Sequence, residues 1–183
     1  MLKTLLTAAY KIDYDREKIE NIQKFINQNK SSKSGKTLSL KENLWLFVSN
    51  KKVEVISKTE KNNDEIPIKE CGDYNFDGKI FSIQKYDEIP QKYPDDKDFV
   101  AYISIDKIDF ILRHRKDGDK IHPLGSRGSQ KLKKYLNEKK IPQHKKNDLF
   151  LLCNGNEVLW VAGIGISEKI KVVNKPTHMI TLK

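Results

Sequence analysis

Apolar positions near the start of the chain recur at helical spacing. Ile19, Ile22, Phe25 and Ile26 fall on one face if Asp15–Gln28 is wound as a helix, with Asp13 or Asp15 placed to cap its first amides. A stripe of that kind needs a partner, and Leu5, Leu6, Ala8 and Ala9 on a preceding short helix supply part of one. Ser31-Ser32-Lys33-Ser34-Gly35 then breaks the period as a polar loop. Leu44–Ser49 and Val53–Ser57 follow as two short apolar runs around Asn50-Lys51-Lys52, the pattern of a β-hairpin.

Lys58–Glu65 is wholly polar and has nothing to bury. It divides the chain into a helix-plus-hairpin region at 1–58, a linker at 59–65 and a main domain at 66–183. In the main domain Lys79–Gln84, Phe99–Ile105 and Phe110–Arg113 are expected strands. Gly125–Gly128 is expected as a tight turn and Ser129–Lys140 as a helix with Ser129 at its N-cap. After Pro142, strands are expected at Leu149–Cys153, Val158–Ala162, Lys169–Val173 and His178–Leu182, the first two joined by Asn154-Gly155-Asn156. Strands outnumber helices, so the expected class is α+β: a small N-terminal unit, then a module of packed β-sheets with one basic helix. No repeat at solenoid or propeller period is visible.

Charge changes the picture more than composition does. The net charge is +10, and twelve bases against four acids lie between Arg113 and Asp148, so most of the surplus is local. A concentrated patch of that kind focuses a field on a polyanion. No stretch approaches the roughly 20 apolar residues that span a bilayer, and Met1-Leu2-Lys3-Thr4-Leu5-Leu6 is too short for the apolar core of a signal peptide, so the cytoplasm is the expected location. Cys71 and Cys153 are far apart, and His114, His122, His144 and His178 do not complete a zinc-binding spacing around them. No metal site is expected.

Two motifs compete for attention. Ser34-Gly35-Lys36-Thr37 imitates the end of a nucleotide-binding loop, but Lys30 stands where that loop needs its first Gly, and a helix precedes it where a strand should. The second is Arg113 to Lys134. Gly125 and Gly128 let the backbone turn sharply, and Ser129 would open a helix whose unpaired amides suit a phosphate, which makes Gly125, Gly128 and Ser129 a candidate phosphate-binding turn. Leu132, Tyr135 and Leu136 make one face of that helix, while Lys133, Lys134, Asn137 and Lys140 lie opposite. A solvated lysine face is the ordinary meaning of such a stripe; Arg113, Arg115 and Arg127 just upstream favour phosphate contact. The candidate nucleic-acid-binding residues are Arg113, Arg115, Lys120, Arg127, Lys131, Lys133 and Lys134.

Catalysis finds less support. Asp117 and Asp119, two apart in a Gly-containing turn, suit amide capping better than proton sharing. Ser126 or Ser129 with His122 and Asp119 could be assembled as a triad only on paper, because nothing resembles a nucleophile elbow. No catalytic residue is assigned.

A set of short matches carries a family resemblance. Arg113, Gly118-Asp119, Pro123-Leu124-Gly125, Gly128, Lys131-Leu132-Lys133, Ile141-Pro142, Leu151-Leu152, Val161, Gly163 and Ile166-Ser167 resemble, in order and spacing, the carboxy-terminal domain of bacterial tRNA(Ile)-lysidine synthetases. The Ile19–Ile26 helix with Gly35–Leu40 and the hairpin resembles the middle of the same enzymes, less specifically. Phe150, where the family usually has Pro, and Lys145-Lys146, where an Arg is common, depart from the pattern.

The resemblance implies a fold similar to a domain of the β subunit of phenylalanyl-tRNA synthetase. It implies tRNA binding in the service of ATP-dependent attachment of lysine to the first anticodon cytidine of tRNA(Ile). The family's catalytic Ser-Gly-Gly-x-Asp-Ser loop does not occur in this sequence, so ATP and Mg would belong to a catalytic domain of the same polypeptide. That domain and tRNA(Ile) are the expected partners, with a homodimer left open. From the residues alone two rivals remain: a protein-binding module pairing through a hairpin edge around Trp45, and a free-standing enzyme of unknown chemistry.

Overall fold

In the N-terminal region the apolar stripe and its cap behave as their chemistry dictates. Asp15 accepts an amide hydrogen bond from Lys18 at 2.8 Å and starts helix α1 (Arg16–Asn29). Ile22 is buried, and Ile19, Phe25 and Ile26 pack with Leu40, Leu46 and Val48 on a three-stranded antiparallel sheet. Its strands are β1 (Lys36–Lys41), β2 (Leu44–Val48) and β3 (Val53–Ser57), in that order. The Tyr14 hydroxyl donates to the Leu40 carbonyl. Gly35 has a φ of +74°, and a Cβ there would meet the Phe47 ring at 2.2 Å, so the nucleotide-loop look-alike needs its Gly to let the chain pass close over Phe47. The Trp45 edge is corrected: β2 is the middle strand, with Trp45 opposite Ser39 on one side and Ile56 on the other, so both of its backbone edges are paired.

This computed structural model describes residues 14–33, 35–50, 52–57, 64–95 and 98–183, and the chain divides into two compact units, Met1–Glu60 and Lys61–Lys183. The short helix expected around Leu5–Ala9, the Asp13 cap, Ser34, Lys58 and positions 59–63 of the expected linker lie outside the described residues.

The second unit contains β4 (Glu65–Ile68), β5 (Gly72–Phe76), β6 (Lys79–Lys85), β7 (Val100–Ile103), β8 (Phe110–Arg113), β9 (Lys120–Ile121) and β10 (Gln130–Lys131). Helix α2 (Leu132–Glu138) and strands β11 (Leu151–Asn154), β12 (Glu157–Val161), β13 (Gly165–Ile166) and β14 (His178–Leu182) complete it. One sheet runs β5-β6-β14-β7; the other runs β10-β9-β12-β11-β8-β4, with β13 against β12. The main core contains Phe81, Ile83, Ile103 and Ile180 from the first sheet and Ile68, Leu112, Leu152 and Trp160 from the second. A second core packs Leu132, Tyr135 and Leu136 of α2 against Ile121, Leu151, Cys153, Val158 and Val161. The larger sheet therefore buries both faces, and the alternation Leu151, Leu152, Cys153 serves each in turn. Between Leu152↔Trp160 and Cys153↔Val158 the register shifts, leaving Leu159 as the extra residue of a bulge.

Two boundaries differ from expectation. Glu65, expected in the linker, lies in β4 and pairs with Arg113, because the apolar Ile66 and Ile68 beside it can reach the core. The strand expected at Lys169–Val173 is replaced by a 3₁₀ turn at Glu168–Ile170: the Ser167 hydroxyl accepts from the Lys169 amide, and the turn drives Ile170 into the core at 3% exposure.

Candidate nucleic-acid interface

The basic segment sorts its charges by burial. Arg113 ends β8 between β11 and β4, and its side chain is 1% exposed. Nη1 and Nη2 donate to the two carboxylate oxygens of Asp119 at 3.0 and 2.8 Å, Nη1 also to the His114 carbonyl and Nη2 to that of Gly155. Asp119 is equally committed: its carboxylate accepts the Lys116 amide at 2.7 Å and its carbonyl accepts the Leu132 amide at 2.8 Å. Burial alone would lower the Arg113 pKa, but the hydrogen bonds to Asp119 and nearby negative groups raise it, so the guanidinium stays charged. The expected phosphate grip by Arg113 is thereby corrected. Both prongs are spent on Asp119, and the pair ties β8, the β11–β12 turn, the 114–119 loop and the first turn of α2 together.

The phosphate-binding turn is corrected as well. The amide of Gly125, where φ is +76°, already donates to the Glu168 carboxylate at 2.9 Å, so a residue of this chain occupies the place an anion would take. Ser126 donates its hydroxyl to the Gly128 carbonyl. Ser129 is not a helix cap: Gln130 and Lys131 pair with β9, and α2 begins only at Leu132 with Lys131 in the cap position and no side-chain cap. Its first amide is taken by the Asp119 carbonyl.

The remaining cations form the exposed face. Lys131 stands directly opposite Lys120 across β9 and β10, and both side chains lie in solvent. Like charges in that register repel. Lys133 and Lys134 continue the row along α2 on the side away from Leu132, Tyr135 and Leu136, whose burial fits the expected apolar face. Arg127 is exposed in the preceding loop, and Arg115 is half-buried with Nε donating to Asn147 Oδ1 at 3.0 Å. Acids reach few of these groups: Lys134 approaches Glu138 at 3.9 Å and Lys116 pairs with Glu65. One basic residue was missed. Lys146 is 4% exposed, its ammonium held by the amide oxygens of Asn137 and Gln143, and its pKa is lowered by burial and by Arg115 and Lys133.

The catalytic alternatives do not assemble. His122 Nε2 contacts the Ser126 carbonyl at 2.9 Å rather than a hydroxyl, and Asp119 is consumed by Arg113. Burial pushes the Cys153 thiol up to about 12, against the pull of Arg113, which keeps it protonated, while Cys71 is exposed. Among the described residues no group of three or more His, Cys, Asp or Glu could hold a metal ion, and no helix is long and apolar enough to cross a membrane.

Comparison with known proteins meets the same region. Residues 110–181 match the family described as the TilS substrate C-terminal domain. The tRNA(Ile)-lysidine synthase of Clostridium tetani is 30% identical over 179 residues, which cover 93% of this chain and 38% of that protein. That of Persephonella marina is 29% identical over 171 residues, or 88% of this chain and 36% of that one. The chain thus spans well under half the length of these relatives. A crystal structure of a TilS C-terminal domain aligns with a TM-score of 0.48 at 20% identity, covering 66% of this chain and 95% of that one. Residues 110–181 thus resemble a TilS substrate C-terminal domain, and most of the chain is similar in sequence to part of the tRNA(Ile)-lysidine synthases.

Proposed function

We propose that the exposed basic face of this chain binds the sugar–phosphate backbone of tRNA(Ile). In this reading it positions the tRNA for ATP-dependent lysidine formation at the first anticodon cytidine by a catalytic domain outside these residues, in the cytoplasm, with ATP and Mg used there. The carrying observation is the cross-strand pair Lys120 and Lys131, continued along α2 by Lys133 and Lys134. Placing lysines opposite one another costs stability, and a polyanion laid along the row reverses the sign of that interaction. Arg115 and Arg127 extend the same set.

Recognition in this reading is by shape. Phosphate contacts fix orientation without reading bases, and the deep major groove of A-form RNA excludes side chains. Arg113 supports the face from beneath by fixing the loop that carries Arg115 and Lys116 and the start of α2.

Lysine-reactive labelling of the intact chain, with and without a tRNA(Ile) transcript at low salt, tests this. Lys120, Lys131 and Lys133 are expected to be protected while Lys52, Lys69 and Lys79 label as before. Equal labelling of both groups would leave the lysine row as a solvated face.

A further inference from the structure

Lys146 carries an unusual arrangement for a buried ammonium. Its Nζ donates to Asn137 Oδ1 and, at 3.4 Å, to Gln143 Oε1, both neutral amide oxygens. Such oxygens satisfy N–H groups but leave the charge uncompensated. Other lysines of this unit behave differently: Lys69, Lys116, Lys169 and Lys171 each meet a carboxylate.

Two further cations close on the same spot. Lys133 lies one helical turn before Asn137 on α2, hence on the face that holds Lys146. Arg115 is anchored through Nε to Asn147, the residue following Lys146, which leaves its two Nη groups for an incoming oxygen. Neither Arg115 nor Lys133 has a carboxylate within ion-pair distance among the described residues. The electrostatics agree with the geometry, since both groups act on Lys146 to disfavour its protonated form. Three like charges held together by α2 and the segment around 143–147 store a repulsion that a bound anion relieves.

We infer that Arg115 and Lys133, backed by the buried Lys146, form a seat for a single phosphate group, supplied by the RNA backbone. The inference takes its ligand's source from the tRNA reading above and adds a defined subsite to it. A guanidinium fork and a flexible ammonium suit the several oxygens of a phosphate, and the buried charge beneath cannot swing away when solvent salt competes.

The test uses the full chain and two variants, Lys146→Met and the surface pair Arg115→Gln with Lys133→Gln. Thermal unfolding is followed with and without tripolyphosphate, and affinity for a tRNA(Ile) transcript is measured at fixed salt. The parent is expected to gain unfolding temperature with tripolyphosphate and both variants to lose that response. Lys146→Met is expected to unfold at or above the parent temperature without the anion, because it removes an uncompensated buried charge. Both variants are expected to bind tRNA about tenfold more weakly or worse. The surface pair keeps the test valid should Lys146→Met fold poorly. Variants that keep the parent's tripolyphosphate response and tRNA affinity would overturn the seat while leaving the tRNA reading intact. A parent that responds to tripolyphosphate through these residues but binds no tRNA would keep the seat and remove the RNA as its source.

Discussion

Arg113 and Lys146 are both nearly inaccessible cations from one basic segment, and they are treated in opposite ways. Arg113 meets a carboxylate through both prongs and two carbonyls besides; Lys146 meets only amide oxygens and has Arg115 and Lys133 for company. A compensated buried charge holds elements in register, whereas an uncompensated one keeps an unspent field at the surface. The difference separates charges that maintain this fold from charges available to a partner, which a count of bases along the chain does not do.

The largest effect that can sharpen this contrast is on stability. Replacing Arg113 with Met strands Asp119 as a buried, unpaired carboxylate and is expected to cost about 3–5 kcal/mol. Asp119→Asn should act in the same direction, and the double variant Arg113→Met with Asp119→Leu should recover part of the loss. Urea unfolding monitored by circular dichroism reads all three. A cost for Arg113→Met no larger than that of an exposed lysine substitution would end the structural assignment.

A smaller effect of opposite sign is expected on the exposed row. Lys131→Glu places a carboxylate across from Lys120 and at the cap position of α2, where negative charge is favoured, so the fold should gain about 0.2–1 kcal/mol. The same change should weaken tRNA binding. Gaining stability while losing affinity is the signature of a residue kept for a partner; a variant that loses stability would place Lys131 among the fold's own supports.

The smallest effect concerns pH. The Gly125 amide, with help from Lys171, holds the Glu168 carboxyl below its ordinary range. A carboxyl depressed in the folded state contributes stability that is present above its unfolded pKa, about 4.3, and lost as pH falls through the lower folded value. Because Glu168 lies at the surface the contribution is modest. Glu168→Gln should flatten the acid limb of a stability–pH curve and leave the neutral region unchanged in slope. An unchanged acid limb would show that this hydrogen bond contributes nothing in solution.

Much of this architecture is legible in the sequence where periodicity is long enough to count. The Leu132, Tyr135 and Leu136 face, the Asp15 cap, the hairpin after Leu44 and the strands ending at Arg113 and Leu182 all follow from spacing and turn chemistry. Strands β9, β10 and β13 are two residues each and have no period to detect. Their pairing is set by tertiary contacts, which is why Ser129 resembled a cap for a helix that begins three residues later.

Arg113 left a readable clue: it ends the apolar run Phe110-Ile111-Leu112, and an acid follows six residues on beside Gly118. An Arg there is better placed to turn inward than one inside a polar loop. Lys146 left none. Its neighbour Lys145 is exposed and chemically identical, and only the fold brings Asn137 within reach of one and not the other.

The proposed function requires that the exposed cations, and not the buried pair, hold RNA through phosphates. The salt dependence of tRNA(Ile) binding by the intact chain tests it most directly, compared with the variant Lys133→Ala with Lys134→Ala. Four to six phosphate contacts give a log–log slope of roughly −4 to −5 on a duplex, and removing two contacts should make it shallower by about 2. The variant should fold normally, since Ala is the better helix former and both lysines face solvent. A steep parent slope with the shallower variant slope is the predicted result; no binding at low salt, or two equal slopes, would contradict the account.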